Sequence, residues 1–519
     1  MCILTFVLYT CFLFMSPAVN YLRVNRSLCV IGSHLFSCHL WTPIFVSCYI
    51  FCVACPMCPL LARVAFHAMM SSCYWSVTNH TSSCKTQDTE RVETDQIIME
   101  NTIQDLFVPK RGLTIVTAAV FMVEVIMGSG VLALPSGVRD AGWVGIALIV
   151  LCCFLSMYTG DILGKCWCLV QERYPEFRGH VRYPYPAMGQ ITYGKPGRLL
   201  VSFSINFTLF GVAVVFLLLA SQNIHDLINY LNKDISLCYW LIIVAGLLAL
   251  MCLFGTSADF PFVGIGAMAA MSIAIVMVFV NILLDKRDQN HVTHSLPEVN
   301  SFFMALGTIC FAFSGHTVFP TFQADTRDHK QFGKAMLLAY IVLVMYLPVV
   351  IAAYVVYGDS IDANILETVS SGPMLYTVQI LFTVQLVLGF IIVLNPFSQE
   401  VEELLKIPKE FNWKRCVSRT ITVGLVLFVA ESIPHFGAIL ALVGGSTISL
   451  LGYVFPSIFY MKLCRMNGEW DTVCIPLHTK VANYVIVVVG LVAGAAATYS
   501  AISGLASPDV FSLPYYMDI

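Results

Sequence analysis

From Lys334 to Tyr357 the chain carries no charge after its first residue. A bilayer's hydrocarbon core, about 30 Å thick, takes about 20 such residues as an α-helix. Lipid offers no partner to a bare peptide group, so a run of this kind must close its hydrogen bonds internally. Eleven apolar segments follow residue 111, at roughly 113–136, 142–165, 198–223, 237–256, 260–284, 301–323, 334–357, 373–396, 416–434, 436–461 and 481–504. The composition agrees. Of 519 residues, 58% are hydrophobic and 11% charged, against about 25% charged in soluble domains. A soluble enzyme, a disordered chain and a disulfide scaffold are excluded. A net charge of −3 offers nothing to nucleic acid. The expected fold is an all-α polytopic membrane protein of eleven transmembrane helices.

Composition divides the chain further. Residues 1–84 hold ten of the 20 cysteines, three arginines and no acid. Cys52, Cys55 and Cys58 form C-x2-C-x2-C, a spacing used by iron–sulfur and zinc sites. The next cysteine, Cys73, is too far along for a compact cluster, and packing is the expected role of the cysteines. Asn25 and Asn79 begin short glycosylation sequons. No basic n-region or A-x-A site marks a signal peptide. The block reads as an extension of doubtful structure, with Met69, Met70 and Met99 as later potential starts. Residues 85–111, with six acids and four bases, read as a polar tail, 112–505 as the membrane domain and 506–519 as a C-terminal tail.

Loop charges set an orientation. With 85–111 in the cytoplasm, the inner segments carry 20 Lys and Arg, while the outer ones carry only Arg139, Lys233, Lys286 and Arg287. An odd number of spans then puts the C-terminus outside.

Two spans are interrupted. In the first, Gly128, Ser129 and Gly130 stand mid-span and Pro135 follows. Glycine costs about 1 kcal/mol inside a helix and proline removes a backbone bond. Such a break points free N–H groups at a cavity, at the positive end of the second half-helix, where a carboxylate is the natural guest. Close packing of small residues is the competing reading. In the sixth span Ser314, Gly315 and His316 interrupt at the matching place. Two broken segments at equivalent positions of two five-span halves point to a transporter site.

With Gly194-Lys-Pro-Gly-Arg198, Asn395-Pro-Phe-Ser-Gln-Glu-Val-Glu402 and the run Pro434–Gly445, these segments resemble the amino acid/auxin permease family from about 110 to 505. The resemblance implies eleven spans in a five-plus-five inverted repeat with broken helices 1 and 6, a cytoplasmic N-terminus and amino acids moved with protons or sodium. It implies that the amides of Gly128, Ser129 and Gly130 hold the substrate carboxylate. The carbonyls of Phe313, Ser314 and Gly315 would then face its amino group. Asn206 and Phe210 of the third span and Gln385 and Gly389 of the eighth are the remaining candidate lining.

Coupling falls on Glu124 and His316. Glu124 precedes Gly128 by four residues, which would put both on one helix face. An ionisable group inside a span is a functional candidate by default. A histidine titrates near neutrality but often serves as a structural donor instead. Sodium sites of the fold draw a hydroxyl from the eighth span, and residues 384–394 contain no Ser or Thr; Thr383 lies just outside. Protons are therefore expected ahead of sodium, with no cofactor and no metal. Asp161 and Lys165 read as a structural i,i+4 pair, and Glu431 and His435 as solvated loop ends.

No Walker A motif, H-E-x-x-H or G-x-S-x-G is present, and Gly128–Gly130 is no dinucleotide fingerprint. The chain is read as a secondary transporter of small neutral amino acids, not an enzyme, integral to the plasma membrane or a lysosomal or vesicular one. Its partners are the amino acid and the bilayer; the oligomeric state is left open. The alternatives are an amino-acid sensor with little turnover and a sodium-coupled carrier. The short tail at 85–111 favours transport over sensing.

Overall fold

The computed structural model describes residues 113–506, apart from 127, 180, 230–235, 255–260, 286–291, 409–411, 434–435, 469 and 471–472. The C-x2-C-x2-C motif, both sequons, the polar tail, His435 and residues 507–519 lie outside the described residues.

The described chain is helical, with one isolated backbone bridge between Leu113 and Thr326 and no strand among the described residues. In order come α1 (Ile115–Ile126), α2 (Gly130–Ala141), α3 (Val144–Arg173), α4 (Pro184–Asn229), α5 (Leu237–Phe254), α6 (Pro261–Leu284), α7 (Val299–Ala312) and α8 (Phe319–Ala324). Then follow α9 (Phe332–Leu343), α10 (Tyr346–Tyr357), the short α11 (Ile365–Thr368), α12 (Pro373–Leu404) and α13 (Trp413–Ser432). The last are α14 (Phe436–Val443), two π-helical turns over Gly444–Ile448 and Leu450–Val454, α15 (Phe455–Arg465) and α16 (Leu477–Leu505).

Six helical runs are long and apolar enough to cross a membrane, and the bent pair α1–α2 makes a seventh. The other four expected spans fall on α5, α6, α7–α8 and α13, which are shorter or more polar as drawn. Their outward surface is apolar all the same. Leu425 and Phe428 of α13 and Ile242, Ile243 and Leu247 of α5 are about half exposed. In a soluble protein that surface would be a liability; against lipid it has no cost.

Local chemistry explains the breaks. α1 and α2 meet at 53° across the Gly128–Ser129 link. α7 stops at Ala312 and α8 begins at Phe319, with Pro320 in its first turn. α4 is kinked at Gly194, whose φ of +71° lies in the left-handed region open to glycine. The expected Asp161–Lys165 pair is present at 2.8 Å. Glu431, expected in solvent, is instead buried at the end of α13; the packing of α13 on α5 covers it.

One buried cluster runs through the middle of the molecule, where α2 lies along α7 and α4 along α12. Cys152, Cys166, Cys238, Cys252, Cys310 and Cys464 are free and buried, as packing residues are.

Candidate functional site

The two breaks touch. A methyl group on Gly130 would lie 2.6 Å from the Cα of Ala312, and one on Gly315 would lie 2.8 Å from Ile126 Cγ1. Each break thus sits against the end of the other's half-helix. Only residues without a Cβ permit that approach.

At the α2 terminus Ser129 makes no side-chain cap, and its buried Oγ has no hydrogen-bond partner. The first N–H groups of a helix likewise lack intrahelical acceptors. This end of α2 has donors to offer and an unsatisfied hydroxyl beside them. Across from it, Gln385 is buried with Oε1 unpartnered. Gly389, one turn further along α12, faces the same way.

The α7–α8 break is held by α3. Ser156 Oγ donates to Phe313 O at 3.0 Å and meets Tyr340 Oη at 2.6 Å. One turn on, Thr159 Oγ1 donates to Leu155 O (2.9 Å) and lies 3.1 Å from His316 Nε2. The threonine's one proton being spent, Nε2 of His316 must carry the hydrogen and donate. In a neutral ring of this tautomer Nδ1 is an acceptor. That Nδ1 is buried and unpartnered, and Gly452 of the second π-turn leaves it room.

These bonds change the carbonyl assignment. Phe313 O takes donors from Ser156 Oγ and Gly315 N, and Gly315 O from Val318 N and Phe319 N. Ser314 O has no donor among the described residues and is the one of the three open to an amino group.

Glu124 is buried in α1, and its carboxylate makes no ion pair or hydrogen bond among the described residues. α1 ends at Ile126, so the expected shared helix face with Gly128 does not exist. The backbone has already turned.

Asn206 and Phe210 are not brought to the breaks. Asn206 Nδ2 donates to Ser202 O (3.0 Å), and Phe210 packs on Phe397 with centroids 5.7 Å apart. The third-span residue at the breaks is Phe216. Six residues further on, it lies about 9 Å along the helix at 1.5 Å per residue. The apolar run suggested an end near 223, whereas α4 continues to Asn229, and the breaks meet it nearer its C-terminal end than Asn206 and Phe210. Ser156 and Thr159 were also missed, although two hydroxyls three apart in an apolar span are a legible signal. Thr383 Oγ1 donates its proton to Gln379 O of its own helix (2.7 Å).

A cavity of about 240 Å³ lies elsewhere, where α1 begins, lined by Leu113, Arg327, Gln331 and Phe332 among others. Ser129, Gln385 and His316 each bring a buried polar atom without a partner to the breaks, and none of the residues lining this cavity has one.

Buried, mutually touching helix breaks inside an apolar helical array define an integral multi-pass membrane protein with a polar site in its middle. The family model described as "Transmembrane amino acid transporter protein" matches residues 111–503, and the chain belongs to that family. Among curated relatives, amino acid transporter AVT1E of Arabidopsis thaliana is 24% identical over 77% of this chain and 76% of its own length. Lysine histidine transporter-like 1 of the same plant is 27% identical over 71% of this chain and 83% of its own.

Proposed function

We propose that the protein is a secondary transporter of small neutral amino acids, with its site where α1–α2 and α7–α8 break against each other. The observation that carries this is the coincidence of that contact with buried, unpartnered polar atoms from three helices: Ser129 Oγ, Gln385 Oε1 and His316 Nδ1. Buried polar groups without partners are rare and mark a place that a ligand or water completes. In this reading the α2 terminus, through Gly128, Ser129 and Gly130, takes the carboxylate, and Ser314 O with Gln385 takes the ammonium group. In the same reading the helices make eleven spans in two inverted halves, and access alternates as one bundle rocks on the other.

Protons are the proposed coupling ion. Glu124 and His316 are a buried carboxyl group and a buried imidazole flanking the breaks. No Ser or Thr stands at 384–394 of the eighth span, which supports protons over sodium. A cationic substrate is the second reading. A relative is named for lysine and histidine, and the unpaired Glu124 carboxylate would be the counter-charge.

The test is uptake of labelled alanine into proteoliposomes holding the full chain, under an inward proton gradient and then an inward sodium gradient. Proton-driven accumulation competed by serine and glycine is expected. Accumulation that needs sodium would overturn the coupling assignment, and competition by lysine alone would favour the cationic reading. Saturable binding without uptake would make the protein a sensor.

A further inference from the structure

The ring of Phe216 is held between two glycines from different helices. A methyl group on Gly128 would lie 3.0 Å from its Cζ and 3.3 Å from its Cε1. A methyl group on Gly389 would lie 2.8 Å from its Cε2 and 3.4 Å from its Cδ2. The two contacts fall on different edges of the ring, Cε1–Cζ and Cε2–Cδ2, so it touches both the first break and α12. Phe216 is itself almost wholly buried. Gln385, whose Oε1 is unpartnered, lies one turn from Gly389 and within 3.7 Å of the same point.

We infer that Phe216 is the residue that limits the size of the substrate side chain. The inference rests on the reading of the breaks as an amino-acid site and deepens it. A carboxylate seated on the α2 terminus fixes the substrate's Cα within a few ångströms of Gly128. The side chain leaving that Cα must share its space with whatever stands against Gly128 and Gly389, and that is the Phe216 ring. The ring lies against both glycines, so it cannot move toward either without shifting α1–α2 or α12. A hydrogen or methyl side chain fits beside such a wall; a branched or aromatic one does not. The glycines at 128 and 389 serve here as the slots that hold the wall, a role separate from any contact with substrate.

The experiment measures uptake of alanine and leucine into proteoliposomes containing the full-length protein, for wild type, F216L, F216A, G389A and the double variant F216A/G389A. Fitting or misfitting one methylene in an apolar pocket changes selectivity by about 10–200-fold. The leucine-to-alanine ratio of kcat/KM is therefore expected to rise by at least about tenfold in F216A, with F216L in between. G389A, whose new Cβ meets the ring, should cut uptake of both substrates. F216A/G389A should restore it, because the clash partner is gone; such non-additivity is the mark of direct contact. A merely structural Phe216 would lower both substrates alike. An unchanged ratio in F216L and F216A, with alanine still carried, overturns the inference while leaving the transport reading intact. Were F216A too unstable to reconstitute, F216L and the G389A pair decide the matter, and an unchanged ratio with additive losses refutes it. Absence of any amino-acid uptake by the wild type overturns the transport reading itself.

Discussion

Arg419 donates from Nε to Glu402 Oε1 over 2.8 Å, and both side chains are almost closed to solvent. The same guanidinium reaches Cys252 O (2.6 Å) and Asn395 Oδ1 (3.1 Å). It therefore ties α13 to α12 and α5 at once. Asn395 and Glu402 are seven residues apart, two helical turns, which puts both acceptors on one face of α12. Arg415 adds a second contact to Glu402 at 3.2 Å. Removing one partner of a buried pair strands the other, a loss of about 3–5 kcal/mol. Arg419→Ala is expected to lower the melting temperature of the detergent-purified protein by several degrees. Arg419→Lys should recover only part, because an ammonium group lacks the planar fork that meets three acceptors. A melting temperature unmoved by Arg419→Ala would show that Arg415 carries the contact alone.

The contact between Gly130 and Ala312 makes a sharper prediction about sterics. The Cβ of Gly130→Ala would stand 2.6 Å from backbone, so α2 and α7 must separate. Overpacking of this kind costs about 1–3 kcal/mol. Uptake should fall strongly, because the separation is at the breaks themselves. Gly137→Ala, two turns further along the same face of α2, meets Ile309 Cγ1 at 3.4 Å, an ordinary contact. It should be neutral or slightly stabilising, since alanine is favoured over glycine in a helix by about 1 kcal/mol. Equal effects of the two substitutions would argue against a tight α2–α7 seam.

The breaks were legible in the sequence because glycine inside an apolar run costs helix stability, and it does so at matching places in two spans. What lines them was less legible. Gln385 and Gly389 lie on the helix face that reaches Phe216, whereas Asn206 and Phe210 do not. Periodicity reports which face a residue takes, but not its level along a helix whose end is uncertain by a turn or more. The occupied carbonyls of Phe313 and Gly315 were illegible for another reason. They depend on Ser156 of a different helix, and no local pattern carries a contact between residues 157 positions apart. The burial of Glu431 was hidden in the same way.

Coupling can be split between Glu124 and His316. A gradient of one pH unit supplies about 1.4 kcal/mol per proton, enough for tenfold accumulation. With Glu124→Gln, accumulation is expected to collapse to the level of simple equilibration while exchange of internal for external alanine persists. Thr159→Val removes the acceptor that fixes the His316 tautomer. It should weaken exchange as well, because the α7–α8 break loses a tether. Accumulation that survives in Glu124→Gln and is lost in His316→Gln would move the proton to the imidazole. Survival in both would remove protons from the mechanism.

Glu367, on the short helix α11 outside the apolar runs, gives a pH test of the loop before α12. Desolvation of its carboxyl group and the neighbouring carboxylates of Asp226 and Asp362 raise it from 4.5 to about 7, although the residue as a whole is exposed on α11. Between those two values the folded protein binds more protons at this group than the unfolded chain does. Stability from this group is therefore greatest at low pH and is lost as pH rises from about 4.5 toward 7. Glu367→Gln keeps the shape and removes the charge, so its melting temperature should exceed that of the wild type at pH 8 and match it near pH 5. Asp226→Asn takes away one of the two repelling groups and should shrink the same difference without abolishing it. Parallel pH profiles for the wild type and Glu367→Gln would show that the loop opens enough to solvate this carboxylate.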